Sequence, residues 1–315
     1  MDKRTTDETL SRLPGHPLIR EVCTRVDEIF SKLDSYHYLR VEDKQDFLWY
    51  HRFFREALDA IYENIQAGRL QLLDERSCRI HPADGKHDLH AALFVGSFDP
   101  FQMTHLAMAL RYLASDEADC PLVYIIPEGH HNPLKPSKSD YEYRYNLVQM
   151  QLAQVFKNLV VPLDIGKDAD TIEIFRRFIG CMSGFKLTLT HIIGSDVLPF
   201  AVAMLPEDLA VWRREAAERN NELIYKMFIL RRDCCPPPDA ALRRLEELGV
   251  PYYLDTRELV TPSSTDFRKN NAFSIVLPTP EIISHLEVLF RYRLNRNWSP
   301  DSAANSPACP PAQNT

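Results

Sequence analysis

The sequence lacks the features of a membrane protein or of a scaffold held by disulfides. No stretch approaches the roughly 20 apolar residues of a membrane-spanning helix. The amino-terminal segment MDKRTTDETL is polar and has no apolar core of a signal peptide. The seven cysteines are odd in number and include no C-x-x-C pair, which argues against a disulfide framework and against a zinc site. We therefore expect a cytoplasmic protein in a reducing compartment, with no membrane partner.

Positive charge is also scarce. Lys and Arg number 37 against 44 Asp and Glu, so the formal net charge is −7. Because proteins that bind nucleic acids attract the phosphate backbone with an excess of positive charge, we expect no nucleic-acid partner. The 315 residues are 45% hydrophobic and 26% charged, an ordinary globular composition that suffices for one large domain or two average ones.

The first part of the chain has the spacing of helices. Apolar residues recur at three- and four-residue steps from Leu18 to Leu33 and again from Phe47 to Ile65, which is one face of a helix in each case. Residues 74–90 are polar and contain Pro and Gly, as linkers do. We therefore predict a helical N-terminal extension and linker at 1–88, whose helices could serve a homo-oligomer or a protein partner.

From about residue 90 onward, short apolar runs alternate with amphipathic stripes. A strand followed by a helix, repeated, indicates an α/β fold with a parallel sheet and helices on both faces. The predicted strands are 91–95, 122–126, 159–163, 186–193, 226–230 and 251–254, and the predicted helices are 104–115, 140–157, 171–180, 206–219, 239–248 and 279–294. We assign this domain to 89–297, and we expect 298–315, rich in Pro, Ser, Ala and Asn, to be a disordered tail.

The turn after the first predicted strand carries the first chemical motif. It reads GSFDPFQMTH from Gly96 to His105 and leads directly into a helical stripe. A glycine at a strand end lets a phosphate approach the backbone, and the N–H groups at a helix start favour the same anion. An imidazole there can donate a hydrogen bond to a phosphate oxygen whose charge grows in a transition state. The alternative is a plain connection with a surface histidine.

A second motif lies far downstream, in TPSSTDFR from Thr261 to Arg268. Three successive hydroxyls before a helix, with an arginine one turn later, suit the oxygens of a triphosphate. The alternative is that Ser and Thr cap a helix and bind no ligand.

Together, these segments resemble the signatures of the HxGH and ISSTxIR nucleotidyltransferase superfamily, especially the nicotinamide or nicotinate mononucleotide adenylyltransferases. GSFDP and Gln102 to His105 match G-[ST]-F-[DN]-P and [HT]-x-x-H, and PSSTDFR is similar to ISSTxIR. Further segments resemble the family in the same order, namely NPLKP at 132–136, Tyr143-Arg144, Gly194-Ser195-Asp196, LAVWR at 209–213 and FILRRD at 228–233. The resemblance covers about 90–295.

The resemblance implies a Rossmann-like fold and transfer of the adenylyl group of ATP to the phosphate of a pyridine mononucleotide, in NAD biosynthesis or salvage. It implies that His105 and Arg268 are catalytic and act at the α-phosphate. It implies ATP binding by Gly96, Ser97, Phe98, Gln102, Gly194, Asp196, Ser263, Ser264 and Thr265. The expected cofactor is Mg²⁺, bound mainly through the ATP phosphates, with no separate metal site on the protein.

For the acceptor, the resemblance implies Lys135 as a phosphate clamp, Trp212 as a stacking platform and Thr171 as a contact to the pyridine substituent. Each has a structural alternative, since Lys135 could be solvated, Trp212 could belong to the core and Thr171 could cap a helix. Gln102 stands where the family has His or Thr; it can donate a hydrogen bond but cannot carry charge, so it could lower activity. The choice between nicotinamide and nicotinate stays open.

Two competing functions also stay open. The first is transfer to another phosphorylated acceptor, such as phosphopantetheine or a choline or sugar-alcohol phosphate. Trp212 discriminates here, because a pyridine needs a stacking face and those acceptors do not. The second is a nucleotide-sensing or scaffolding protein of low catalytic activity, which the substitution at Gln102 suggests.

Overall fold

The structure, a computed structural model, describes residues 15–35, 41–70, 87–129, 138–156, 158–232, 237–259 and 276–286. Its centre is a six-stranded parallel sheet with the strand order β3-β2-β1-β4-β5-β6. The strands are β1 (His87–Gly96), β2 (Val123–Pro127), β3 (Val160–Pro162), β4 (Phe185–Gly194), β5 (Glu222–Arg232) and β6 (Tyr252–Leu259). The predicted α/β fold class, a Rossmann-like parallel sheet, is confirmed.

Helices cover both faces of the sheet. They are α1 (Pro17–Phe30), α2 (Val41–Gln66), α3 (Met103–Leu113), α4 (Tyr141–Val155), α5 (Thr171–Gly180), α6 (Leu198–Glu218), α7 (Asp239–Glu247) and α8 at 280–286, with a 3-10 turn at Leu33–Ser35. Because side chains alternate along a strand, Ala92 and Phe94 of β1 pack on one side and Ala91 and Leu93 on the other. We call the side with α1 to α4 and α8 the first face, and the side with α5 to α7 the second face.

The strand order reverses between β1 and β4. From β1 the chain moves outward to β2 and β3, then crosses back so that β4 pairs with the other edge of β1. The helix after β1 lies on the first face and the helix after β4 lies on the second. Where two connections diverge in this way, a crevice opens at the carboxyl ends of the strands, and ligands of such sheets bind there.

The helical N-terminal extension is present and packs against the sheet domain. Ile19 of α1 and Leu58 of α2 are fully buried, in the same hydrophobic cluster as α3 and α4. The Phe54 ring of α2 lies 5.4 Å from the Phe156 ring just after α4. The predicted domain division between residues 88 and 89 stays a prediction; it falls within β1, which begins at His87. The predicted tail lies outside the described residues.

Several predicted boundaries were wrong. Strand β5 begins at Glu222 and strand β6 ends at Leu259, where the predictions were 226 and 254. Helix α6 begins at Leu198, where the prediction was 206, and contains Pro206 in its interior. A proline inside a helix removes one backbone hydrogen bond; burial of Leu198, Val202 and Leu205 in the second face offsets that loss. Strand β1 begins before the predicted 91 because its polar start pairs with β4 from His87 onward. Within the described residues, no helix is long and apolar enough to span a membrane.

Candidate active site

The loop that follows β1 is held in place by helix α4. Arg144 Nη1 donates to the Ser97 carbonyl at 2.6 Å, and Gln151 Nε2 donates to the Phe101 carbonyl at 2.8 Å. Arg144 and Gln151 lie two turns apart on one side of α4, and both side chains are buried. Buried hydrogen bonds from α4 therefore fix the path of the loop from Gly96 to Gln102.

His105 lies in the first turn of α3 with its ring orientation fixed. Its Nδ1 accepts the backbone N–H of Gln102 at 3.0 Å. Because Nδ1 is an acceptor, the neutral ring carries its proton on Nε2. The imidazole lies 6.0, 5.0 and 5.7 Å from the rings of Phe94, Phe98 and Phe101, and it is partly exposed. A single donor, Nε2–H, is thus held at the start of α3.

Gly96 and Phe98 shape the strand end. Phe98 has a φ of +42°, a left-handed conformation that is uncommon outside glycine and concentrates at functional loops. Its ring is buried and folds back over Gly96, where a Cβ would stand 3.2 Å from the phenyl carbons. The glycine therefore makes room for this tight turn at the carboxyl end of β1.

The turn after β4 forms the second wall of the site. Asp196 Oδ2 accepts from Arg232 Nη1 at 2.9 Å, and Ser195 Oγ accepts the Arg232 backbone N–H at 3.0 Å. A Cβ on Gly194 would overlap Asp196 Oδ1. The absence of a side chain at Gly194 thus allows the Asp196 carboxylate to fold back over the strand end beside Arg232.

The loop after β1 and the turn after β4 begin at the same height in the sheet. Leu93 of β1 is opposite His191 of β4, so Gly96 and Gly194, each three residues further on, end adjacent strands. Neighbouring strands lie about 4.8 Å apart. The predicted ATP-binding residues at 96–98 and at 194–196 are thereby brought together at the reversal of strand order.

Glu128 and Lys138 are polar neighbours of the site that the sequence analysis did not identify. Glu128 directly follows β2, and its Oε1 accepts from Ser97 Oγ at 3.0 Å and from Lys138 Nζ at 3.1 Å. The Lys138 side chain is only 6% exposed. A polar residue immediately after a buried strand was the available signal for Glu128, whereas nothing near Lys138 in the sequence points to this partner.

The prediction that Trp212 offers a stacking face is wrong in this structure. Its side chain is 1% exposed and its ring stacks on Phe175 with centroids 4.6 Å apart. The indole N–H donates to the Ile172 carbonyl at 3.0 Å, and the Tyr225 ring lies 5.1 Å away. Because α5 and β5 enclose this side of α6, the core alternative for Trp212 is the correct one.

The other predicted site residues stay predictions, and two of them have a defined place in the structure. Thr171 is the first residue of α5 and is partly exposed, and the helix is capped by Asp170, whose carboxylate accepts the Glu173 N–H at 2.9 Å. Gln102 directly precedes α3 and is 1% exposed. The other predicted residues, Lys135, Ser263, Ser264, Thr265 and Arg268, lie outside the described residues.

A second cluster of polar groups lies between α6 and the second face of the sheet; it consists of His191, Tyr225 and Asp208. His191 Nδ1 and the Tyr225 hydroxyl share a hydrogen bond of 2.8 Å. Burial lowers the pKa of His191 to about 4. Burial, together with the charges of Asp170 and Glu207, raises the pKa of Asp208 to about 6. Asp208 Oδ1 has no hydrogen-bond partner within the described part of the chain.

Two similar solved structures are of the nicotinic acid mononucleotide adenylyltransferase of Plasmodium falciparum. The one complexed with APC is 14% identical, with a TM-score of 0.44, and the match covers 66% of this chain and 99% of that chain. The one complexed with NaAD is 15% identical, with a TM-score of 0.47, and the match covers 67% of this chain and 100% of that chain. No protein-family model matches the chain, and no curated protein matches its sequence.

Proposed function

We propose that the protein transfers the adenylyl group of ATP to the phosphate of nicotinamide or nicotinate mononucleotide, forming a dinucleotide and releasing pyrophosphate. One observation carries this proposal. The GSFDP loop with His105 and the Gly194-Ser195-Asp196 turn, two segments that resemble the nucleotidyltransferases, end adjacent strands at the reversal of strand order. A nucleotide bound across that crevice touches both.

His105 suits the central step. In adenylyl transfer, the acceptor phosphate attacks the α-phosphorus and pyrophosphate leaves in line, while negative charge builds on the α-phosphate oxygens. The Nε2–H of His105 donates to one of these oxygens, and the bond from Gln102 to Nδ1 keeps the ring from turning away. The N–H groups of the first turn of α3 favour the same charge. From the resemblance, Arg268 adds a cation and Ser263 to Thr265 hold the distal phosphates.

The turn after β4 suits the nucleoside part of ATP. Asp196 already accepts from Arg232, and a carboxylate has lone pairs for further hydrogen bonds to sugar hydroxyls. The Arg232 guanidinium is planar and stacks on ring systems. We assign the ribose to Asp196 and place the adenine near Arg232.

We expect Mg²⁺ to bind together with ATP. Among the described carboxylates at this edge, Asp99 accepts the Ser139 N–H, Glu128 accepts from Lys138, and Asp196 accepts from Arg232. Mg²⁺ keeps several waters and is usually held by substrate phosphates together with one or two carboxylates. We therefore expect it to be bound mainly through the triphosphate, where it offsets phosphate charge.

The burial of Trp212 favours a second candidate function. A pyridine acceptor needs a stacking face, and the aromatic residue assigned to that role is enclosed in the core. Phosphorylated acceptors without an aromatic ring need no such face. The same adenylyl or nucleotidyl transfer to phosphopantetheine or to a choline or sugar-alcohol phosphate is therefore the alternative.

The test is product formation by the full chain with ATP and Mg²⁺. Nicotinamide mononucleotide, nicotinate mononucleotide and phosphopantetheine are offered separately, and products are identified by mass. The blank is His105→Ala, with its fold checked by circular dichroism. A dinucleotide above the blank with either mononucleotide supports the proposal. Product with phosphopantetheine alone supports the alternative, and no product with either mononucleotide from a folded protein contradicts the proposal.

A further inference from the structure

We propose that Tyr50, in the N-terminal extension, is a positioning residue for His105. The Tyr50 hydroxyl and Thr104 Oγ1 share a hydrogen bond of 2.7 Å. Both side chains are buried, at 2% and 1% exposure. Thr104 directly precedes His105 in the first turn of α3. The inference rests on the proposed function, which gives His105 its role in the reaction.

Helix α2 runs beside α3 in the same direction and contacts it at two further levels. In the last turn of α3, the Arg111 guanidinium lies 5.5 Å from the centre of the Phe53 ring. At the carboxyl end, Asn64 Nδ2 donates to the carbonyls of Leu113 at 3.0 Å and Ser115 at 2.9 Å. The extension thus follows the whole length of the helix that carries His105, with Tyr50 at the end nearest the site.

The first turn of α3 is held from two sides. From the sheet side, the Gln102 N–H and the surrounding phenyl rings hold the His105 imidazole. From the extension side, Tyr50 holds the neighbouring residue Thr104. Because residues in one helical turn move together, a shift of Thr104 toward or away from α2 displaces the His105 backbone. Small displacements of a catalytic group are costly to the rate.

The hydrogen bond joins two neutral groups. Burial raises the pKa of Tyr50 to about 12, so the hydroxyl stays protonated at neutral pH. A buried hydroxyl that loses its partner costs free energy, because no water replaces the bond. The bond between Tyr50 and Thr104 therefore favours one placement of the first turn.

Asn64 provides a matched control. It is also a buried polar residue of α2 that bonds to α3, but its contacts are at the end of α3 away from His105. Tyr50→Phe removes one hydroxyl, and Asn64→Leu removes the amide while keeping a similar volume. If the extension acted only through stability, both variants would change turnover in proportion to their loss of stability.

The kinetic test compares these variants with the wild-type chain. We expect Tyr50→Phe to lower kcat about tenfold with the KM for ATP within about twofold, because the displaced group acts in the transition state. Thr104→Val should have the same effect, and the double variant should lose no more than either single one. Asn64→Leu should lower the melting temperature at least as much as Tyr50→Phe and leave kcat unchanged. Equal losses of kcat in Tyr50→Phe and Asn64→Leu would overturn the proposal.

A spectroscopic readout separates this proposal from the proposed function. In protein labelled with ¹⁵N in the histidine rings, the His105 signals are those missing from His105→Ala. Tyr50→Phe should shift them, and Asn64→Leu should not. If the wild-type chain converts no acceptor, the proposed function fails while the ring signals still test the positioning. Unchanged His105 signals in Tyr50→Phe would overturn the positioning role in either case.

Discussion

Each face of the sheet packs a histidine among aromatic rings, and the two histidines differ in access. On the first face, His105 lies against Phe98 and Phe101, is partly exposed, and follows the carboxyl end of β1. On the second face, His191 lies within β4, 5.0 Å from the Phe175 ring, and is 5% exposed. The same residue type among similar neighbours thus faces the crevice in one case and the core in the other.

The position along the strand explains this difference. Residues beyond the end of a parallel strand border the crevice, whereas residues within the strand point into one of the two layers of helices. Trp212 is also enclosed, because it lies on the side of α6 that packs on Phe175 and β5. Aromatic and titratable residues therefore indicate a site only when their place in the sheet is known.

The largest expected effect tests the core assignment of Trp212. Trp212→Ala should lower the free energy of unfolding by roughly 3–5 kcal/mol, because it leaves a large cavity in the second face. Trp212→Phe keeps a ring there and should lose much less. Neither substitution should raise the KM of the folded protein for the mononucleotide. Urea unfolding and initial rates check this, and a raised KM with unchanged stability would restore Trp212 as a stacking platform.

The next effect contrasts the two histidines. His105→Ala should lower kcat about 100- to 1,000-fold, the range for loss of one preorganised donor. It should change the free energy of unfolding little, because a partly exposed ring adds little to the core. His191→Ala should lower stability and leave kcat of the folded fraction unchanged. Steady-state rates and thermal melts of both variants test the contrast. A similar kcat in wild type and His105→Ala would remove the distinction between the two faces.

The third effect is the pH dependence of stability on the second face. The pKa of Asp208 is about 6 when folded and 3.8 when unfolded, so the folded chain binds the proton more tightly. This contribution to stability is lost as the pH rises from about 4 to about 6. His191 has the opposite slope over this window, because burial lowers its pKa to about 4.

Replacing Asp208 isolates its contribution. Relative to Asp208→Asn, the unfolding free energy of the wild type should fall by up to about 3 kcal/mol between pH 4 and pH 7. Urea unfolding at several pH values measures the difference between the two curves, in which the slope from His191 cancels. A difference that does not change with pH would show that Asp208 ionises at its ordinary pKa in the folded protein.

The smallest effect sharpens the role of the turn after β4. Gly194→Ala places a Cβ against the Asp196 carboxylate and should raise the KM for ATP about tenfold, equivalent to about 1.4 kcal/mol. Gly180→Ala is the control, because its Cβ would meet only the Glu215 side chain on the second face. ATP titrations of both variants decide the point. Equal KM values for ATP in Gly194→Ala and Gly180→Ala would mean that ATP binding does not depend on this turn.

The alternation of strands and helices was sufficient to predict the fold, because each period reports a local backbone state. The loop after β1 could be predicted as a candidate site from its glycine at a strand end, and the turn after β4 from its resemblance to the family; the structure places the two turns at the ends of adjacent strands. The contacts of Trp212 and Lys138 could not be. An amphipathic stripe indicates that a residue such as Trp212 has a buried face but not which neighbours cover it, and the partner of Lys138 lies ten residues away on another element. The bond between Tyr50 and Thr104 joins segments far apart in sequence, which no local pattern reports.

The central claim is that the crevice between β1 and β4 transfers the adenylyl group. The most direct measurement follows ATP labelled at the α-phosphate or, in a parallel reaction, at the γ-phosphate, with Mg²⁺ and each mononucleotide. The account predicts that the α-label enters the dinucleotide and the γ-label leaves in pyrophosphate, and that both products disappear in His105→Ala. Release of the γ-label as inorganic phosphate with no α-label in any acceptor product would contradict the claim.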